Sequence, residues 1–278
     1  VVAALLHKEG YECIGMHLRF WSDTCETPEN PASLPQNKCC STESLEDARK
    51  IAYSFGMPFY VMNTVEPFKE RVVDYFLEGY RQGETPNPCV ECNRNIKFGV
   101  LLQRAKELGA DFLATGHYIR KVDISNGHGP ESELWMAKDK MKDQSYFLYH
   151  LDQEKLSRVK FPLGNYTKPE VYALAAQFGL NTVKEKKESQ GVCFFPERTP
   201  EGFLKRHLES EFVSPGPIET VLGEVIGEHE GLPFYTIGQR KGIKIGGLKN
   251  EEGSSEPWFV IKTDRKRNAL IVGRKKDM

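Results

Sequence analysis

No stretch of this chain approaches the ~18 consecutive apolar residues that a membrane-spanning helix needs, so no membrane association is expected. No secretory leader is expected either, since no apolar leader segment precedes the cysteines. The seven cysteines are an odd number scattered along the chain, which excludes a disulfide scaffold and points to reduced thiols in a cytoplasmic protein. Net charge is nearly absent at −1, which argues against a protein that coats nucleic acid nonspecifically. Internal repeats are absent too. The chain has no initiator methionine: it opens at Val1-Val2-Ala3-Ala4-Leu5-Leu6, which reads as the middle of a helix, and it is expected to be a fragment.

The composition, 39% hydrophobic and 28% charged over 278 residues, is that of a globular protein with room for two ordinary domains. The near-neutral average hides a tilt. Residues 1–150 carry −4 and residues 151–278 carry +3, with the basic excess in Arg240-Lys241, Arg265-Lys266-Arg267 and Arg274-Lys275-Lys276. Such runs permit a phosphate contact, although most are solvated faces.

Hydrophobic periodicity predicts an alternation of helices and strands. A helix stopped by Gly10 precedes a strand over 11–18, and a helix begins near Ser41-Thr42 and ends at Gly56. A strand follows over 58–63. Phe68, Val72, Phe76 and Tyr80 then recur every fourth residue as one helical stripe. Residues 96–108 read as a helix stopped by Gly109, followed by a strand over 111–117. Asn126-Gly127 marks a turn in a polar insertion, residues 142–149 read as a short helix with an aromatic inner face, and Thr167 with Glu170 forms a capping box. The economical fold is α/β, a doubly wound parallel sheet, with ligands beyond the carboxyl ends of its strands. From about Ser214 short β-rich runs alternate with glycine-rich turns. The expected division is a domain over 1–205 followed by a small β-rich domain over 206–278.

Chemistry concentrates at Thr85-Pro86-Asn87-Pro88-Cys89-Val90-Glu91-Cys92-Asn93, which reads as a rigid loop just ahead of a helix starting near Asn95. A Cys-x-x-Cys pair serves as half of a zinc site, a thioredoxin-like dithiol, or a thiol or cluster site for sulfur chemistry. Zinc lacks a convincing fourth ligand: Cys39-Cys40 are adjacent, and Cys193 with Cys89 and Cys92 makes three. The thioredoxin pattern wants its pair at a helix start directly after a strand. A thiol near a helix N-terminus and beside Lys97, Lys186 and Lys187 would ionise more easily than the usual pKa near ~8.5. Cys193, in a Gly-containing basic loop, reads equally as a reactive thiol or as a buried cysteine opening a strand over 192–195. Cys13, Cys25, Cys39 and Cys40 read as incidental.

Five segments occur in one order: Asn87-Pro88-x-x-x-Cys92-Asn93 with Ile96-Lys97-Phe98; Ala114-Thr115-Gly116-His117-Tyr118; Lys142-Asp143-Gln144-Ser145-Tyr146-Phe147; Ser189-x-Gly191-x-Cys193-Phe194; and Gly238-Gln239-Arg240-Lys241-Gly242. Together they resemble the tRNA-specific 2-thiouridylases over essentially the whole chain. The resemblance implies an N-type ATP pyrophosphatase domain of the adenine nucleotide alpha hydrolase-like type. It implies ATP and Mg2+ as cofactors, tRNA as partner, and a persulfide donor or carrier protein supplying sulfur. The wobble uridine would be adenylated and then converted to 2-thiouridine. By the same resemblance Cys193 carries the persulfide, Cys92 is the second catalytic thiol, and the two form a redox disulfide in the spent state. Asn87, Pro88 and Cys89 fall in the pocket for the target base, Lys142, Asp143 and Gln144 where tRNA is touched, and Leu18 and Gly116 where ATP is touched. His117 is expected to be a satisfied turn histidine.

Three departures from the family pattern stand out. The pyrophosphate loop Ser-Gly-Gly-x-Asp-Ser would stand immediately before Val1, so the chain as given is expected to bind ATP poorly and to be inactive without it. The C-terminal β-barrel that the resemblance implies is expected to be missing from the chain as given. Many members carry aspartate where this chain has Cys89, so that Cys89, Cys92 and Cys193 are also candidate ligands of a [4Fe-4S] cluster, the alternative to a persulfide relay. The remaining alternatives are a zinc-structured RNA-binding module without catalysis and an Fe-S-dependent thiolase acting on another tRNA base.

Overall fold

The computed structural model describes residues 1–23, 41–125, 130–180, 191–197, 199–245 and 256–278. Cys25, Cys39, Cys40, the Asn126-Gly127 turn, Lys186, Lys187 and Ser189 lie outside these residues. Contacts gather the chain into two compact units, residues 1–72 with 88–196 and residues 73–87 with 197–278.

In the first unit, α1 (Val2–Lys8) buries Ala4, Leu5 and Leu6 and ends before Gly10, whose φ of +87° suits a residue without a Cβ. Strands β1 (Gly15–Arg19) and β2 (Phe59–Asn63) pair in parallel, joined through α2 (Thr42–Ser54). The Ser41 hydroxyl caps α2 by accepting from the Ser44 N–H at 3.1 Å. A second parallel pair joins β3 (Leu113–Ala114) to β6 (Val159–Lys160). Parallel pairing with helical crossovers is the α/β architecture expected, and among the described residues of this unit the parallel strands form two separate pairs.

The polar insertion is an antiparallel hairpin, β4 (Ile119–Ser125) with β5 (Pro130–Met136), in register from Ile119↔Met136 to Ser125↔Pro130. Phe98, Ile119, Leu148, Leu151, Val159 and Phe161 form a core beneath it. Between β6 and the next helix, α8 (Lys168–Gln177), which follows α7 (Gln153–Ser157), the predicted capping box is present at Thr167 and Glu170.

The four-residue stripe is realised as one helical run through α3 (Val65–Phe68), a π-wound turn (Lys69–Val73) and α4 (Asp74–Arg81). Phe68, Val72, Phe76 and Tyr80 are all buried. In the second unit Phe76 packs on Phe203 of α9 (Glu201–His207), with ring centroids 6.0 Å apart. Strands β7 (Gly216–Thr220), β8 (Val225–His229), β9 (Phe259–Asp264) and β10 (Ala269–Gly273) form a sheet of order β8-β7-β10-β9. Ile218, Val260, Leu270 and Val272 are its fully buried core.

Candidate active site

The helix bearing the cysteines starts earlier than the sequence suggests. It begins at Pro88, runs through α5 (Pro88–Glu91), a π-wound segment (Cys92–Leu101) and α6 (Leu102–Glu107), and stops before Gly109, φ +76°. Proline is well suited to a first helical position, because its φ is already set and its missing N–H is not needed there. The expected rigid loop is therefore the first turn of a helix, with Asn87 immediately before it. Cys89 is exposed and Cys92 is buried. Residues three apart on a helix are neighbours on one face, roughly 5–6 Å between Cβ atoms. The π winding begins at Cys92, and π segments recur at functional sites.

Asn93, next to Cys92, is 3% exposed. Its Nδ2 donates to the Phe147 carbonyl at 3.4 Å, while its Oδ1 is buried with no hydrogen-bond partner among the described residues. A buried acceptor left unmet costs about 1–3 kcal/mol, which marks the position for a donor.

Cys193 is half-buried. The expected strand over 192–195 does not form; the segment is a series of bends, because the next two residues are both turned into an aromatic cluster rather than alternating across a sheet. The Phe194 ring meets Phe68 at 5.9 Å, Trp21 at 6.3 Å and Phe195 at 5.3 Å. Its carbonyl accepts from the Asp23 N–H at 3.0 Å. Helix α3, which carries Phe68, also packs against the Cys92–Leu101 segment. The anchor of Cys193 and the helix of Cys92 thus share one neighbour.

The candidate nucleotide residues lie at strand ends. Leu18 is near the carboxyl end of β1, paired with Met62. Gly116 is exposed two residues beyond β3, where a Cβ would meet Leu163 at 3.8 Å and Val2 of α1 at 3.9 Å. His117 is buried, and its Nδ1 lies 2.8 Å from the Thr115 hydroxyl. Burial, reinforced by the charge of Lys97, pushes its pKa down to about 3. The imidazole is neutral at pH 7, as befits a satisfied turn histidine. Because the folded form resists a proton that the unfolded chain accepts near ~6.5, stability is full above that pH and falls by about 1.4 kcal/mol per pH unit down toward pH 3. Urea unfolding between pH 7.5 and 5 should show this slope, and His117→Gln should flatten it by one proton. An unchanged slope in the variant would contradict the assignment.

Residues 142–148 fasten these parts together. Asp143 Oδ2 accepts from the Ala137 N–H at 2.6 Å, and its Oδ1 accepts from the Ser145 N–H at 3.1 Å. Gln144 Oε1 accepts from the Tyr118 N–H at 3.0 Å, and the Gln144 N–H donates to the Tyr118 carbonyl at 2.9 Å. The turn is thereby tied to Gly116-His117-Tyr118 on one side and, through Asn93, to the Cys92 helix on the other. Asp143 and Gln144 use these oxygens internally, and Lys142 is half-buried. The expected aromatic inner face is corrected: only Ser145–Leu148 is helical, as a 3-10 turn, with Leu148 inside and Tyr146 and Tyr149 outside. With three residues per turn, positions 145 and 148 share one side and 146 and 149 another.

Among the described residues no group of three or more histidine, cysteine, aspartate or glutamate side chains is placed to hold a metal ion. A cleft of about 440 Å3 in the second unit, lined by Tyr80, Phe212, Tyr235, Arg265 and Lys266, contains none of the predicted site residues. No helix of the described residues is long and apolar enough to cross a membrane.

Residues 1–197 match the family described as tRNA methyl transferase HUP domain, and residues 201–274 match the tRNA methyl transferase PRC-barrel domain. The chain is 45% identical, over 99% of its own length and 73% of the relative's, to the tRNA-specific 2-thiouridylase MnmA of Moorella thermoacetica. It belongs to the tRNA-specific 2-thiouridylase family. A thiouridylase of Caldanaerobacter subterraneus is 43% identical over 100% of the chain and 72% of the relative, and one of Chloroflexus aurantiacus 44% over 98% and 71%. The two domain descriptions and the thiouridylase names agree on tRNA and differ on the group transferred. The HUP description fits the α/β unit, and the PRC-barrel description fits the four-stranded β-rich unit. The Asn93 acceptor and the outward tyrosines escaped sequence reasoning; neither burial nor orientation has a local signature in so short a turn.

Proposed function

We propose that this protein is an ATP-dependent tRNA sulfurtransferase that converts the wobble uridine to 2-thiouridine in the cytoplasm. The observation that carries the reading is a cysteine pair in the opening turns of a helix, tied through Asn93 to the turn at Gly116-His117, in a chain 45% identical to a named thiouridylase. A persulfide relay requires two such thiols, one to carry the sulfur and one to release it.

In the reaction, the uridine C2 oxygen attacks the α-phosphate of ATP, supplied with Mg2+, and pyrophosphate leaves. The terminal sulfur of a persulfide on Cys193, loaded by a donor or carrier protein, then attacks C2, and AMP departs with the oxygen. Cys92 as thiolate attacks the Cys193 sulfur, forming the Cys92–Cys193 disulfide and releasing sulfur on C2. The two electrons come from the Cys92 thiolate, and an external thiol restores both cysteines. Leu18 and Gly116 contact ATP, Asn87, Pro88 and Cys89 shape the base pocket, and Lys142, Asp143 and Gln144 adjoin tRNA.

The test is mass spectrometry of nucleosides from unmodified tRNA incubated with the full-length protein, ATP, Mg2+ and a persulfide donor. The expected product is 2-thiouridine, with one AMP and one pyrophosphate per thiolation. A methylated nucleoside, or none, would overturn the reading. Iron and acid-labile sulfide near four each in anaerobically purified protein, lost in Cys89→Ala, would replace the relay by the cluster.

A further inference from the structure

Tyr146 and Tyr149 are 66% and 71% exposed although the turn that carries them is well packed, with Leu148 at 0% beneath it. A 3-10 turn sets side chains three apart on the same side, separated by three rises of about 2.0 Å, or roughly 6 Å. Tyr149 is the C-cap of that turn, and a rise of roughly 6 Å is close to twice the ~3.4 Å stacking interval of nucleic acid, the spacing that one base between two rings requires. Each ring is held by the next residue's ring, edge-on: Tyr146 with Phe147 at 5.5 Å and 83°, Tyr149 with His150 at 5.7 Å and 84°.

Cations lie near the turn, among carboxylates that are engaged elsewhere or paired. The aspartates of this stretch are turned onto backbone N–H groups: Asp139 accepts from Met141 at 3.1 Å and Lys168 at 2.9 Å, and Asp143 from Ala137 and Ser145. Lys140 is left exposed. Arg94, one helical position beyond Asn93, is largely exposed, 3.9 Å from the Glu91 carboxylate with which it pairs. Exposed aromatic rings interleaved with cations bind unpaired nucleotides, the rings stacking on bases and the cations meeting phosphates.

We propose that Tyr146 and Tyr149 form a stacking clamp for one unpaired base of the RNA loop that carries the target uridine. The clamp rests on the tRNA reading above and adds its loop-recognition element. The turn is joined to the Cys92 helix by the Asn93–Phe147 bond, so a base held there keeps its neighbour in the loop beside the thiols.

The probe is a 17-nucleotide anticodon stem–loop RNA with 2-aminopurine next to the wobble uridine, titrated with full-length protein. Binding should quench the fluorophore. Tyr146→Ala and Tyr149→Ala should each weaken binding roughly tenfold or more and abolish quenching, as expected when one base–aromatic stack is lost. Phenylalanine at either position should restore both, and Tyr53→Ala, which removes a tyrosine of similar exposure on α2, should change neither. Alanine variants that bind and quench like the wild type, in a protein that still makes 2-thiouridine, would overturn the clamp alone; phenylalanine variants that fail to restore would overturn stacking as its basis. A wild-type protein that neither binds the hairpin nor thiolates tRNA would overturn the tRNA reading and the clamp with it.

Discussion

Cys193→Ala is expected to lower 2-thiouridine formation by on the order of 10³-fold or more, while ATP-dependent release of pyrophosphate continues. The proposed relay places adenylation before sulfur attack, so removing the sulfur carrier leaves the first half-reaction intact. Cys92→Ala should fail differently. Sulfur still reaches C2, but the link to Cys193 stays unbroken, and the protein accumulates as a covalent adduct with tRNA that a small thiol such as dithiothreitol releases as product. Denaturing electrophoresis with and without thiol separates the cases: no adduct in Cys193→Ala, a thiol-sensitive adduct in Cys92→Ala. The alanine changes are tolerable structurally, because Cys193 is half-buried in a bend whose position is fixed by Phe194, and Cys92 lies in a helix where alanine is favourable. Thiolation at the wild-type rate in Cys193→Ala would refute the relay.

The two cysteines also show where sequence reasoning reached and where it stopped. Features with a local signature were legible. The stripe Phe68, Val72, Phe76, Tyr80 identified a buried helical face because the period is written in the chain, and Thr167 with Glu170 marked a helix start because the capping box is a contact between near neighbours. Gly56 and Gly109 marked helix ends through the left-handed backbone that they adopt, φ +66° and +76°. The β-rich character of the second unit was readable from its short runs between glycine-rich turns.

What depends on distant contact was not legible. The prolines around Asn87 suggested a loop, yet Pro88 is an N-terminal helical residue and the cysteines sit inside the helix. Tyr146 and Tyr149 carry an apolar signal that predicts burial, but Leu148 already fills the core under the turn and geometry sends the tyrosines outward. The reciprocal bonds between Gln144 and Tyr118 span 26 residues, and no spacing rule anticipates them. Family resemblance pointed to both segments as site residues without explaining why they belong together; the hydrogen bonds supply that reason.

Gly164→Ala is the substitution expected to damage the fold most. Gly164 is buried in the turn after β6, and a Cβ there would fall on the carbonyl oxygen of Ile119, 2.6 Å from its carbonyl carbon and 3.0 Å from the Arg120 Cα. The obstacle is backbone, so no side-chain rotation relieves it. Ile119 is fully buried at the start of β4, and its N–H donates to the His117 carbonyl at 3.1 Å; the Gly164 carbonyl accepts from the Lys138 N–H at 2.9 Å. Moving either strand therefore disturbs the Gly116-His117 turn and the segment leading to Lys142 together. Overpacking of this kind typically costs 1–3 kcal/mol, and backbone against backbone belongs at or above the upper end. The expected result is a loss of about 3 kcal/mol or more in urea unfolding, or failure to accumulate folded protein, with weakened ATP binding in any fraction that folds. Gly109→Ala provides the comparison: nothing lies within 4 Å of its Cβ position, so its cost is limited to that of φ +76°, roughly 1–2 kcal/mol. If the two variants were equally stable, the close approach at Gly164 would not be what holds the Gly116-His117 turn in place.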